Sequence, residues 1–419
     1  MLQLAGIVFQ FAFKIYFAEK TMKKTRLTVI LFILIMSCLL LCSCGRKKKS
    51  SDSSDASESS ADTTAAATET PDEYAEYANR RVSISGTKFM VDGKELWLCG
   101  INTPWQKWND FSGNMDVTFW ENTFKSLAEN HINSTRIWVN CNGLGIVKLD
   151  AQGNVTDINQ KHFENLKTLF DLAAKYKIYV MPTLLSFDHF KAGNQGATYW
   201  RALVNDKDKV SQYCEKYVKE FCKRFDNNPF VFAVDIINEP DWVNENADCG
   251  QLSWDNLCYF FGEVSACIHE NSRMLVTVGL GMNKYNSDKF EGNKVSDANL
   301  KALTGKDNSK LDFYSPHFYM WMKQWFGFPF DGDPANYGMD MDRPVVLAET
   351  ANDDESESGL SNYEKYKALY DNGWAGLMFW SEPKKSDSGV WSWYCFDFTA
   401  AGAREMYKVA KDKMFPIGD

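Results

Sequence analysis

A chain of 419 residues can hold one large or two ordinary domains, and with 45% hydrophobic and 15% aromatic residues it can bury a substantial core. A net charge of −9, a pI near 5.3 and the lack of a basic run in the globular part disfavour nucleic acid as a partner and suit a neutral or weakly charged ligand. Fourteen tryptophans exceed what packing alone usually requires.

In chain order, the first recognisable element is a signal. From Met22 the sequence reads MKKTRLTVILFILIMSCLLLCSCG, with Lys23, Lys24 and Arg26, an apolar run, and then Leu41-Cys42-Ser43-Cys44. The ending resembles a bacterial lipobox, although Cys42 is unusual at its position, and this implies lipid attachment at Cys44. An uncleaved membrane anchor is the competing reading. Either one places the domain outside the cytoplasmic membrane, and the first tethers it by lipid to the bacterial membrane or cell surface. Residues 1–21 precede a complete signal, so the true start is expected at Met22. Residues 45–78 are rich in Ser, Thr, Ala and acid; they bury too little to offset the entropy of ordering and predict a flexible tether. The basic residues Arg46 to Lys49 would lie at the lipid surface.

The catalytic-sized domain is expected over residues 79–419. It starts with RVSISGTKFMVDGKELW, two short alternating runs that predict a β-hairpin. Eight buried strand candidates follow: LWLCGIN at 96, STRIWVN at 134, IYVMPTLL at 178, FVFAVDIINE at 230, MLVTVGL at 274, LDFYSPHFY at 311, PVVLAET at 344 and AGLMFWSE at 375. Amphipathic helix patterns such as VTFWENTFKSLAENH and KHFENLKTLFDLAAKYK fill most intervals, with the intervals after the fifth and sixth strands less regular. Strand and helix in alternation favour a (β/α)8 TIM barrel preceded by a short hairpin. A doubly wound open sheet is the competing topology, but no Gly-rich phosphate turn follows the first strand. Eight cysteines lie beyond Cys44. None forms a CxxC pair, and their positions within helix and strand patterns suit mostly free, buried thiols with at most one bridge.

Barrel enzymes place their chemistry at the C-terminal ends of the strands. Those positions hold Asn102, Arg136, Ser186, Asn238 with Glu239, His317 with Tyr319, Glu349 and Trp380. Two carboxylates beside an arginine, a histidine and aromatics are the equipment for cleaving a glycosidic bond, one acid protonating the leaving oxygen while the other carboxylate attacks the anomeric carbon.

On these residues the chain resembles glycoside hydrolase family 5, in the clan of (β/α)8 retaining glycosidases. The matching motifs are RIW at Arg136, NEP at 238–240, HFY at 317–319, VVLAET ending at Glu349–Thr350 and MFW ending at Trp380, in the family's order over about residues 82–415. The resemblance implies that Glu239 is the acid/base and Glu349 the nucleophile. Asn238 would bond the sugar 2-hydroxyl, Arg136 and Tyr319 would hold Glu349 ionised, His317 would contact the acid/base or the sugar, and Trp380 would stack under the −1 sugar. The charge of Glu349 would raise the Glu239 pKa. Many members carry a histidine at the end of the third strand, where this chain has Ser186. The β-mannanase branch lacks it too, which favours mannan. β-1,4-glucan ranks second as substrate, and exo action on a β-glycoside third.

Asp188 and His189 lie close enough to serve a sugar hydroxyl, or they pack and cap a loop turn. Trp105, Trp242 and Trp393 fall just beyond strand ends, where each could face the cleft or the core. Glu382 is a further candidate for the cleft. No cofactor and no metal is expected, since the five histidines are scattered and form no ligand cluster. A serine hydrolase would need a Gly-x-Ser-x-Gly elbow, which is absent. The rival of a different class is a non-catalytic carbohydrate-binding lipoprotein, which would need the tryptophans but not both glutamates. The partners expected are therefore a β-linked polysaccharide or oligosaccharide and, through Cys44, a membrane, with the protein acting as a monomer.

Overall fold

Residues buried on both faces of a strand can pack only inside a sheet covered on both sides, and the apolar runs meet that condition by lining up in parallel. The computed structural model describes residues 73–352 and 357–416. Its first strands, β1 (Ser83–Ser85), β2 (Lys88–Val91) and β3 (Lys94–Leu96), form an antiparallel meander. The expected two-stranded hairpin therefore has a third member, of which the sequence pattern assigns only Leu96 to a strand, the next one. Phe89 on β2 sets its ring edge-on to Phe313 at 5.2 Å and Phe232 at 6.1 Å, closing the end of the barrel where strands begin.

The barrel strands are β4 (Leu98–Asn102) and β5 (Ser134–Trp138), then, after a small antiparallel hairpin of β6 (Val147–Leu149) and β7 (Val155–Ile158), β8 (Tyr179–Thr183) and β9 (Ala233–Asn238). They continue with β10 (Leu275–Gly279), β11 (His317–Phe318), β12 (Val346–Ala351) and β13 (Gly376–Trp380). The hydrogen-bonded order is β10-β9-β8-β5-β4-β13-β12-β11, all parallel. The remaining seam is joined by Asp312 N to Val276 O at 2.8 Å and His317 N to Leu280 O at 2.9 Å, so the ring closes as a (β/α)8 barrel. β11 is two residues long, far shorter than the run from Leu311 suggested. Pro316 has no N–H to give a neighbour, and that interrupts the ladder.

Helices Val117–Glu129, Gln160–Tyr176 and Trp254–Asn271 start at Asp116, Asn159 and Ser253, whose side chains accept an N–H of the first turn. The α-helices in the intervals after β10 and β11 are short, Asp297–Thr304 and Lys323–Phe326, as their weak periodicity foretold. Beyond β13 comes an unforeseen hairpin, β14 (Pro383–Lys385) with β15 (Trp391–Trp393), and then the final helix Phe396–Ala410. The signal, Cys44 and most of the tether lie outside the described residues. The tether's expected end at residue 78 is too late, because Tyr74 and Tyr77 already pack on the core, the latter edge-on to Phe230 at 5.4 Å. The eight cysteines from Cys99 to Cys395 are all free thiols, seven of them buried.

Candidate active site

Every residue of β5 is buried, so the guanidinium of Arg136 has no water and must find all its acceptors inside the protein. It reaches two carboxylates. Nε and Nη2 donate to Asp235 Oδ2 at 2.9 and 2.7 Å, and Nη1 donates to Glu349 Oε2 at 3.0 Å. Nη2 also donates to Asn238 Oδ1 at 2.9 Å and Nη1 to Asn102 Oδ1 at 3.3 Å. The ring of Trp138, two residues along the same strand face, lies 4.2 Å below the guanidinium carbon. Asp235 is fixed in turn by Gly279 N–H at 2.9 Å and the Thr183 hydroxyl at 3.1 Å. A side chain at Gly279 is impossible, since a Cβ there would stand 2.7 Å from Arg136 Nη2.

Glu349 ends the core of β12 with one oxygen on Arg136 and the other accepting the Tyr319 hydroxyl at 2.6 Å. Register brings its partners alongside, because His317 pairs with Glu349 and Asn102 with Arg136 across neighbouring strands. Glu239, one residue past β9, adopts the left-handed conformation with φ 48° and is followed by Pro240, which opens a helical turn. A non-glycine residue held there costs roughly 1–2 kcal/mol. The bend turns the carboxyl out of the strand and into the cleft. Its Oε2 accepts the Trp242 indole N–H at 3.1 Å, and its Oε1 lies 3.0 Å from His317 Nδ1. Oxygens of the two glutamates and His317 Nδ1 all lie within 4.8 Å of one another. Such a trio could also ligate a cation, but the guanidinium on Glu349 opposes a divalent ion there.

Burial raises the pKa of Glu239 to about 7, against the opposing Arg136 charge and the Trp242 indole. The sequence expectation assigned that shift to the charge of Glu349; loss of water is the principal cause. Burial raises Glu349 as well, with Arg136 and the Tyr319 hydroxyl acting against the rise. Glu349 alone touches a permanent cation and a phenol, so of the pair it ionises first. Burial raises Tyr319 far above its ordinary value, so the phenol remains a donor. It pushes His317 down to about 4, leaving a neutral imidazole. Asn238 gives its oxygen to Arg136, which leaves its NH2 group as the donor for a ligand.

The structure brings together Arg136, Asn238, Glu239, His317, Tyr319 and Glu349, and it sets Trp380 beside them, edge-on to Trp138 at 5.1 Å and to Trp105 at 6.0 Å. Trp105 therefore belongs to the aromatic wall on the β13 side. Trp242 belongs to the opposite wall, where with Trp321, Tyr319, Gly281 and Glu239 it lines a recess of about 290 Å³. Other candidates fall elsewhere. Trp393 packs between Phe119 and Trp120 and donates to the Thr123 hydroxyl, away from the glutamates, because β15 turns it toward the helix Val117–Glu129. Glu382 is exposed at the start of the last hairpin and bonds none of these groups. His189 is fully buried against Trp200 and its Nδ1 meets the Ser186 backbone at 3.1 Å, so it caps a turn rather than facing a sugar. Asp188 is half-buried with its carboxylate on the Ser186 hydroxyl at 2.9 Å, and burial raises its pKa.

Sequence reasoning missed Asp235 and Trp138. Both had a signal: a lone acid in an all-buried run demands a cation, and residue 138 shares the strand face of residue 136.

A family model described as Cellulase (glycosyl hydrolase family 5) matches residues 90–395. The mannan endo-1,4-beta-mannosidase of Cryptopygus antarcticus is 24% identical over 335 residues, covering 73% of this chain and 85% of its own. That of Mytilus edulis is 26% identical over 331 residues, 72% of this chain and 88% of its own. Among solved structures, the beta-mannanase of the blue mussel Mytilus edulis superposes with a TM-score of 0.67 at 23% identity, over 78% of this chain and 96% of that one. The beta-1,4-mannanase of the sea hare Aplysia kurodai gives 0.68 at 23% identity, over 80% and 100%.

Proposed function

Since the chain belongs to glycosyl hydrolase family 5, whose model spans residues 90–395, we propose that it is an endo-β-1,4-mannanase in which Glu349 is the nucleophile and Glu239 the acid/base. The enzyme class follows from the family: an O-glycoside hydrolase that retains anomeric configuration by double displacement. The observation that carries the assignment of roles is the unequal company of two carboxylates whose oxygens lie within 4.8 Å. That spacing leaves no room for a water between nucleophile and sugar, and direct attack uses carboxyls about 5–5.5 Å apart.

Glu349, ionised by Arg136 and oriented by Tyr319, attacks the anomeric carbon. Glu239, protonated because burial raises its pKa to about 7, gives its proton to the leaving oxygen. Once the glycosyl-enzyme forms, the charge on Glu349 is gone. Glu239 can then ionise and take a proton from the water that releases the sugar. His317, neutral at working pH, holds Glu239 without neutralising it, and Asn238 offers its NH2 to the 2-hydroxyl.

Mannan is favoured by the relatives named mannan endo-1,4-beta-mannosidase and by Ser186 at the end of the third barrel strand. Internal cleavage is favoured by the aromatic recess beyond Glu239, which would bind the sugar on the leaving side. The family model's description as Cellulase supports β-1,4-glucan as the second reading. Anchoring at the cell surface through Cys44 belongs to the proposal and rests on Leu41-Cys42-Ser43-Cys44. Labelled fatty acid should attach to the wild type and not to Cys44→Ala.

The deciding assay incubates the protein with mannan, glucomannan, carboxymethyl cellulose and xylan and sizes the products. Mannan and glucomannan should fall to short oligosaccharides. Cleavage of carboxymethyl cellulose without mannan would move the assignment to glucan, and cleavage of none would return the non-catalytic lipoprotein.

A further inference from the structure

A larger recess, about 740 Å³, lies apart from the glutamates, between the helix Val117–Glu129, the last hairpin and the start of the helix Phe396–Ala410. Its volume falls within the roughly 300–1,000 Å³ of small-molecule sites. None of the residues lining it hydrogen-bonds Glu239, Glu349 or Arg136.

Its walls specify a ligand class. Trp391 and Trp393 alternate with Ser392 on β15, so both rings project from one face of the hairpin toward the recess. Trp393 is used up in packing against Phe119 and Trp120. Trp391 is half-buried, and no ring of the described residues stacks on it. At the back stands Gln106, only 2% exposed. Its Nε2 donates to Asp116 Oδ2 at 3.1 Å, which fixes the amide's orientation and leaves Oε1 with no protein partner. Oε1 lies below the surface of the recess that Gln106 lines, so it meets a hydroxyl from the recess once the amide shifts. The charged groups lining the space are Asp116 and Asp397, with no lysine or arginine, so an anion is disfavoured. An uncharged ligand with an apolar face and hydroxyl donors fits all three features.

We propose that this recess is a second carbohydrate-binding site, which holds a stretch of neutral polysaccharide away from the catalytic pair, with a sugar ring on Trp391 and a hydroxyl on Gln106 Oε1. The polysaccharide rests on the function proposed above. A second grip raises the local concentration of chain ends and loops at the cleft without changing the chemistry.

The test is affinity electrophoresis of the full chain in gels containing glucomannan, with Glu349→Ala as background so that the gel is not digested. Adding Trp391→Ala should weaken retardation about three- to tenfold, the effect of losing one aromatic contact. Adding Asn122→Ala, which removes an exposed amide of the same wall, should weaken it less. In the otherwise wild-type enzyme, Trp391→Ala should leave kcat/KM on a short β-1,4-mannooligosaccharide unchanged, which also certifies folding. Equal retardation with and without both substitutions would overturn the site. So would a fall in kcat/KM on the short substrate, which would make the recess an extension of the catalytic cleft. If the wild type hydrolyses no polysaccharide, the proposed function fails by itself, and retardation of Glu349→Ala against its Trp391→Ala derivative still decides whether the recess binds sugar.

Discussion

Glu349 on β12 and Glu239 just past β9 stand at strand ends that β10 and β11 separate in the barrel, and both are stripped of most water, yet their hydrogen-bond partners differ. Around Glu349 stand a buried guanidinium 3.0 Å away and a phenol 2.6 Å away. Around Glu239 stand an indole N–H at 3.1 Å and an imidazole that burial keeps neutral. Desolvation penalises the charge on both. Only the first hydrogen-bonds a permanent countercharge, while the Arg136 charge reaches Glu239 without contact, so the common penalty becomes an unequal one that suits one carboxylate to be the anion and the other the acid. Asp235 sharpens the contrast. By taking Nε and Nη2 of Arg136 it anchors the cation in the barrel core and leaves only Nη1 for Glu349.

Removing either carboxylate breaks the comparison outright, and unequally. Glu349→Ala should lower hydrolysis of every substrate by on the order of 10⁴-fold or more, because no covalent intermediate can form. Steady-state assay on polysaccharide and on an aryl glycoside checks this, and a fluorosugar inactivator should label Glu349 in the wild type. Glu239→Ala should cost on the order of 10²–10⁴-fold on polysaccharide. It should still form the intermediate from an aryl glycoside with a good leaving group, with azide restoring turnover. A label on Glu239, or an initial product of inverted configuration, would exchange or abolish the roles.

Smaller changes separate the two surroundings through pH. The first step needs Glu349 ionised and Glu239 protonated, so kcat/KM should fall on the acid side with the first and on the alkaline side near pH 7 with the second. Tyr319→Phe removes a donor that favours the anion of Glu349. Its pKa rises and the acid limb moves up by about one pH unit, with a roughly 10- to 100-fold loss of rate. Trp242→Phe removes a donor to the anion of Glu239, so the alkaline limb moves up instead and the profile widens. Movement of the same limb in both variants would show that the donors do not act on separate carboxylates.

The eight strands and both glutamates were legible because a parallel barrel writes itself as continuous apolar runs with chemistry at their ends. What stayed hidden depends on direction rather than position. Glu382 follows the end of β13 by two residues and Trp393 by thirteen, and β14 and β15 pair with each other and turn the ring toward a helix and the carboxylate to solvent. His189 carries the residue type of a sugar ligand, yet the turn at Ser186 folds it inward. The hairpin of β6 and β7 and the third strand of the opening meander, three or four residues long like β1 and β2, were overlooked. Asp235 was readable as a buried acid in need of a cation; its division of Arg136 with Glu349 required the register of three strands.

The mildest test leaves the chemistry aside and asks what the acid costs the fold. The folded pKa of Glu239, about 7, lies above the ordinary carboxyl value near 4.5. The folded state therefore binds the proton more tightly than the unfolded chain, and the stability this group leaves intact at low pH is lost as pH rises from about 4.5 to about 7. Glu239→Gln keeps the shape and carries no charge at any pH. The variant's advantage over the wild type should be small near pH 5 and larger at pH 8 by on the order of 1–2 kcal/mol, read as a higher Tm. Asp241, which burial pushes up to about 8, titrates in the same window but is present in both proteins, so its contribution largely cancels in the difference. A Tm difference equal at pH 5 and pH 8 would mean that Glu239 is already ionised in the folded protein at pH 5, and the division of labour between the two glutamates would lose its physical cause.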